Sequence, residues 1–338
     1  MPLTQLNFQP GIDTENTPTG AESKWIDCDK VRFRKGLPQK IGGWTKFSTG
    51  YYIGVGRALE QWFGLDGGRY EALGTDRKIY AYASGTSQDI TPIRSTDALT
   101  NAISTTNGSN IITIMDTGHG ASQGDFVTLS NVSTTVGGIP ASTLDAEYEI
   151  LTISNTDAYT IQSSATANAN VAPTGNCTAT YQIGIGPSIQ TFGFGWGSGT
   201  WNTGTWGTPR SSSNVVLDAR LWSINNWGED LIITQKDGAT YEWNLSGGMT
   251  NNRATAVANA PSNSTLSMIS TETRHVVCLG TETEIGNTAS QDKMFIRWSD
   301  QENYNQWSPN VVNSAGSQRI AGGSEIRCAR PAKGTMLV

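Results

Sequence analysis

Three stretches of this chain repeat one pattern, and that repeat limits the fold more than any other feature. From Gln61 the sequence reads QWFGLDGGRYEALGTDRKIYAYASG, and from Leu221 it reads LWSINNWGEDLIITQKDGATYEWNLSG. Each copy places a Trp, Trp62 or Trp222, in a strand, then a Gly turn, then an apolar strand in which Leu73-Gly74-Thr75 corresponds to Ile232-Ile233-Thr234. Each then turns and ends on alternating aromatics, Tyr80 and Tyr82 in one, Tyr241 and Trp243 in the other. A looser third copy starts at His275-Val276-Val277-Cys278-Leu279-Gly280-Thr281. It crosses a long polar loop and ends at Met294-Phe295-Ile296-Arg297-Trp298-Ser299. A copy of roughly 40 to 55 residues is an up-and-down set of short antiparallel strands, the size of a propeller blade.

Composition agrees with an all-β chain. Only 36% of residues are hydrophobic and 15% charged, yet 11 Trp, 10 Tyr and 8 Phe supply a core, so the chain is not disordered. No long run of Ala, Leu, Glu and Lys carries a helical period, whereas short runs rich in Thr, Val, Ile and Tyr are broken by Gly and Asn. Between the first two copies, residues 95–183 have no Trp and almost no basic residues. Strands are predicted there at 110–114, 126–129, 148–153, 158–161 and 178–182, with Gly118-His119-Gly120 and Gly137-Gly138 as turns. Five such strands predict a small β-barrel inserted in a loop between blades, where insertion is tolerated.

The domain reading is therefore a polar, extended arm over residues 1–24, a first part of the propeller over 25–94, the insert over 95–183 and a second part over 184–338. The chain stops at Lys333-Gly334-Thr335-Met336-Leu337-Val338, a turn entering a strand. Either that strand closes the ring, or the sequence is a fragment of a longer protein with an incomplete propeller. The fragment reading fits the strand count better, since about four blades is the low end of the range.

Charge and cysteine usage exclude several classes. Net charge is −6 and the pI about 5.0, against the basic surface that grips nucleic acid. No stretch approaches the roughly 18 apolar residues of a membrane span, and residues 1–10 lack the basic start and apolar run of a signal peptide. Synthesis in a cytosol without export is expected. Cys28, Cys177, Cys278 and Cys328 are widely spaced and predict buried free thiols.

Few residues present themselves as a site. Arg32, Arg34 and Lys35 form the one basic cluster, read as a contact to a neighbouring subunit or channel lumen, or as simply solvated, rather than as a grip on phosphate. A tract low in complexity, residues 192–209, carries Trp196, Trp201 and Trp206. It is read as a loop pinned by its rings; the alternative is a surface that stacks on sugars. His119 and His275, the only histidines, lack a nucleophile elbow nearby and are read as structural. Two His and four scattered Cys give no metal-ligand spacing. The glycines of Gly184-Ile185-Gly186-Pro187 lack a Walker Lys. A propeller glycosidase is the enzyme alternative, since Ser299-Asp300 followed by Trp307 faintly resembles a sialidase Asp-box without its internal Gly. It would need gathered arginines and paired carboxylates, and nothing in the spacing gathers Arg32, Arg34, Arg57 and Arg297.

Two blocks carry a family resemblance. One is Phe295-Ile296-Arg297-Trp298-Ser299-Asp300-Gln301-Glu302-Asn303, with Trp307-Ser308-Pro309 and Asn313-Ser314-Ala315-Gly316-Ser317. The other is Phe8-Gln9-Pro10-Gly11-Ile12-Asp13, with Asp29-Lys30-Val31-Arg32-Phe33 and Gly42-Gly43-Trp44. Together they resemble the tail nozzle, or tail tubular protein B, family of short-tailed phages and the related packaged-DNA stabilisation proteins. Gly124-Asp125-Phe126-Val127-Thr128-Leu129 resembles small β-barrel modules of such phage proteins. The resemblance implies a structural virion protein of the phage tail. It would form a ring, typically of six copies, below the portal and adaptor, retain packaged DNA and open for ejection. It also implies partners among portal, adaptor and tail fibre proteins, with genomic DNA passing through unread. No catalytic site, cofactor or metal is expected. The alternative is a tail receptor, glycan-binding or fibre-attachment protein with the host surface as partner. Family members are usually longer than this chain.

Overall fold

A computed structural model describes residues 9–43, 45–46, 48, 50–188, 218–250, 252–332 and 335–337. The chain forms two compact units, residues 1–49 and 50–338. In the first, β1 (Val31–Arg34) pairs antiparallel with β2 (Leu37–Lys40), Arg34 opposite Leu37. The loop is thus Lys35 and Gly36, both at positive φ (51° and 79°), as the two-residue turn favoured by strand twist requires. The expected extended arm is corrected. The Asp13 carboxylate accepts from the Asn16 amide and from Lys24 Nζ at 2.6 Å. The Asp13 backbone N–H donates to Trp25 O at 2.7 Å and Gln9 to Ser23, so the segment folds back on itself. A single carboxylate gathering turn donors and a lysine holds polar residues that have no core to join.

The second unit turns the repeat into sheets. The first is β3 (Gly56–Phe63), β4 (Arg69–Thr75), β5 (Ile79–Ala83) and β6 (Thr86–Asp89), antiparallel and in chain order.

The inserted segment follows as β7 (Ile93–Leu99), β8 (Ile103–Thr105), β9 (Ile111–Met115), β10 (Phe126–Ser130), a one-turn helix α1 (Ala141–Leu144), β11 (Glu147–Asn155), β12 (Ala158–Gln162), β13 (Val171–Thr174) and β14 (Cys177–Gln182). Its strands form one sheet, order β13-β8-β9-β12-β11-β10-β14-β7, around a core that includes Ile112, Ile114, Leu129, Ile150, Ile161 and Tyr181. The barrel expected here is not closed by a ladder, because no pairing joins β13 to β7 among the described residues. The sheet instead rolls round its core. β7 runs on into β8 and β13 into β14, so the two ends of the order belong to two bent chain segments that pair along both halves. Register shifts in β11 at Ile150/Thr152 and Ile153/Asn155 bend the sheet further.

Two more four-stranded antiparallel sheets follow in chain order. One is β15 (Trp222–Trp227), β16 (Asp230–Gln235), β17 (Thr240–Trp243) and β18 (Thr255–Ala256). The other is β19 (Leu266–Ile269), β20 (Val276–Leu279), β21 (Phe295–Trp298) and β22 (Gly316–Arg319). A last hairpin joins β23 (Arg330–Ala332) to β24 (Thr335–Leu337).

The first strands β3, β15 and β19 lie side by side, and β23 adjoins β19. Face-to-face sheets with their first strands gathered at the centre make this a β-propeller, described as three full blades and one hairpin. Second strands explain the stacking. In β16, Leu231 and Ile233 enter the core against the first sheet with Trp62, Trp222 and Trp243, while Ile232 enters the core against the third with Val276, Cys278 and Trp307. In β20, Val277 and Leu279 face the other way, onto Met268, Ile296 and Ile326. A strand buried on both faces must be apolar at every position, which is why these strands read as continuous hydrophobic runs. Gly74 shows how close the blades approach: a Cβ there would lie 2.6 Å from the Trp222 ring, whose Nε1 donates to Thr75 O.

Candidate functional site

Of the six residues proposed from sequence, the structure places three. Arg32 and Arg34 point from the exposed face of β1, where Arg32 Nε donates to Gln39 Oε1 at 3.0 Å. Lys35 sits in the turn beside them. Trp196, Trp201 and Trp206 lie outside the described residues. His119 is buried; Ala121 N–H donates to its Nδ1, and its ring meets Tyr159 edge-on at 5.2 Å. His275 sits between the hydroxyls of Thr273 and Ser314, and partial burial lowers its pKa. The prediction of buried thiols holds for Cys177 and Cys278, both pushed up to about 11 by burial. It fails for Cys328, which is exposed, and for half-buried Cys28. Both of these lie in segments with few apolar neighbours in sequence.

The block with the family resemblance is a structural device. Asp300 Oδ1 accepts from the backbone N–H and hydroxyl of Ser314 and from Gln301 N–H, and these bonds lower its pKa. Trp307, 1% exposed, fills the core between the second and third sheets. Arg297 is buried, donating to Thr283 O, with burial lowering its pKa. Between these anchors, residues 308–313 form a loop braced by Asn310 and Asn313, and it presents Val311 and Val312 almost wholly to solvent (102% and 88%).

Two features escaped the sequence reading. The first is an ion cluster joining the rolled sheet to the propeller. Lys78, 2% exposed, contacts Asp89 Oδ2 at 2.8 Å and also Glu147, and its Nζ lies over the Phe126 ring. Arg253 Nη1 meets Asp89 Oδ1 at 2.9 Å, and Gln182 Nε2 donates to Glu147 Oε2 at 2.6 Å. Burial works to raise the Asp89 pKa, but Lys78 and Arg253 outweigh it and leave the pKa lowered. The four charged groups are scattered from 78 to 253, and only the fold brings them together.

The second is a cavity of about 540 Å³ on the propeller axis, between β3, β15, β19 and β23. Its wall holds four cations, Arg57, Lys236, Arg327 and Arg330, and one carboxylate, Glu60. Burial raises the Glu60 pKa, and Arg330 opposes that shift. Lys236 is neutralised by Asp218 and Arg327 by Glu325. Of Arg32, Arg34, Arg57 and Arg297, which spacing does not gather, the cavity holds only Arg57, set among cations that the sequence reading does not single out. Its partners were not visible because they come from other blades, about 180 to 270 residues away along the chain.

No protein-family model matches this sequence, and no curated protein matches it. Among solved structures the chain is similar to one described as "Phage phi92 endosialidase", at 12% identity and a TM-score of 0.25. The match covers 87% of this chain and 41% of that one, so this chain spans about two-fifths of its length. The expectation of a chain without enzymatic activity is corrected on this point, because the matched structure is named as an enzyme. A likeness at that TM-score carries no argument for a given activity here.

Proposed function

We propose that this chain is a structural protein of a phage tail, a subunit of the ring-shaped nozzle that continues the DNA channel below portal and adaptor. The observation that supports this most is the block 295–317. Its residues build β21, the Asp300–Ser314 clamp, the Trp307 anchor and β22 as one corner of the third blade. Every residue of the resemblance with a visible task there is spent on architecture, as a ring subunit requires. Net charge of −6 per chain suits a lumen along which DNA must slide. Function then arises from assembly: a ring, hexameric in this reading, constricts around the DNA end and releases it when the tail engages a host.

A second reading, attachment of a fibre or receptor, is favoured by the Val311–Val312 tip, since a braced loop that exposes two apolar residues fits a protein contact. Particles assembled without this protein test the first reading. They should package DNA and then lose it, so nuclease-protected genome per particle falls. Full retention of protected DNA would overturn the nozzle role.

A further inference from the structure

We propose that the axial cavity is a binding site for a small organic anion bearing a carboxylate or phosphate group. This goes beyond the ring assembly proposed above and does not depend on it.

Charge and position carry the inference. Four strands from distant parts of the chain converge on the cavity, and three regions of sequence bring its cations: Arg57 on β3, Lys236 just after β16, and Arg327 and Arg330 beside and on β23. Lys236 and Arg327 have carboxylate partners. Among the described residues, Arg57 and Arg330 have no ion-pair or hydrogen-bond partner for their guanidinium groups, although both line the cavity. Glu60 is the single acidic side chain on the wall, and it offsets at most one of the two. With Glu60 set against one of them, the two guanidinium groups still leave a net positive charge in the cleft, which focuses positive potential there. Their planar forks match a carboxylate or a phosphate better than a halide or a neutral group.

The rest of the wall suits a small organic molecule. Trp222, Ile224 and Met268 supply apolar surface, while Ser223, Asn225 and Ser267 supply polar groups. A volume near 540 Å³ lies inside the range, roughly 300 to 1,000 Å³, of ligand sites that combine apolar walls with a few placed polar groups. The same volume is too small for a folded partner. The sites on β3 and β23 belong to elements at the two ends of the blade series, so an anion bridging Arg57 and Arg330 would also tie those blades together.

Calorimetric titration of the full chain with inorganic phosphate and, separately, with glucuronate tests this, with glucose as the neutral control. Saturable binding of at least one anion, and none of glucose, is expected, and the tighter probe identifies the chemical source. Arg57→Gln and Arg330→Gln should each weaken that binding about tenfold, and Glu60→Gln should tighten it severalfold. Arg57 and Arg330 are exposed to the cavity and carry no core packing, so both variants should fold. A second readout uses exposed Cys328, on the same wall. In a Cys28→Ser background, saturating anion should slow modification of Cys328 by a thiol reagent. Anions binding no better than glucose, binding unchanged in both arginine variants, or binding without protection of Cys328 would each overturn the proposal.

Discussion

At the scale of single residues, the fold depends on positions where a blade meets its neighbour. Gly74 is one: the Trp222 ring occupies the space its Cβ would need. Gly74→Ala should cost about 1–3 kcal/mol by overpacking, seen as a lower midpoint in chemical denaturation with an unchanged slope. An unchanged midpoint would mean that the first and second sheets are not in this contact. Asp89 is another. Its folded pKa is lowered, so its contribution is present above the unfolded value near ~3.9 and is lost as pH falls through the folded pKa. Thermal midpoints of the parent and of Asp89→Asn should therefore differ at neutral pH and converge in acid. Removing the positive partner should cost more. Lys78→Met leaves Asp89 and Glu147 with only Arg253 to balance them and should destabilise by about 3 kcal/mol. Legibility at this scale was low. Lys78, Asp89, Glu147 and Arg253 each look like a solvated surface charge in sequence, and nothing local marks them as a buried set.

At the scale of elements, the blades were readable and the insert was half readable. Strands β16 and β20 announce themselves because burial on both faces forces apolar residues into them, and β4, β5, β17 and β21 through the aromatic and aliphatic residues that each sends into a core between sheets. In the rolled sheet, β9, β10, β11, β12 and β14 carry the alternation that sequence detects. Strands β7, β8 and β13 do not: IRSTDAL, IST and VAPT are short or polar, and Pro173 suits an edge. Missing them hides the bent double pairing that replaces a closed barrel. The loop carrying Val311 and Val312 is an element-scale case of the opposite kind, hydrogen-bonded through Asn310 and Asn313 yet solvent-facing. Val311→Ser with Val312→Ser should leave the thermal midpoint within about 1 °C, because neither side chain is buried. If the loop seats a fibre or receptor protein, the same change should abolish that contact in a pull-down with tail proteins.

At the scale of the molecule, the three-fold internal repeat fixes the architecture, because sheets with two apolar faces can only be stable when stacked in series. The gathering of first strands on one axis follows from that stacking. The axial cavity follows in turn, with Arg57, Lys236, Arg327 and Arg330 drawn from three separate regions of sequence. On the nozzle proposal, function at this scale would rest on copies of the chain meeting one another, with the basic face of Arg32, Arg34 and Lys35 as the surface proposed for that contact. The most direct measurement is the mass and symmetry of the purified protein mixed with portal, adaptor and tail proteins, by native mass spectrometry and negative-stain imaging. The nozzle reading predicts a closed ring of about six copies with an open central channel. A chain that stays monomeric and joins none of those proteins would contradict it.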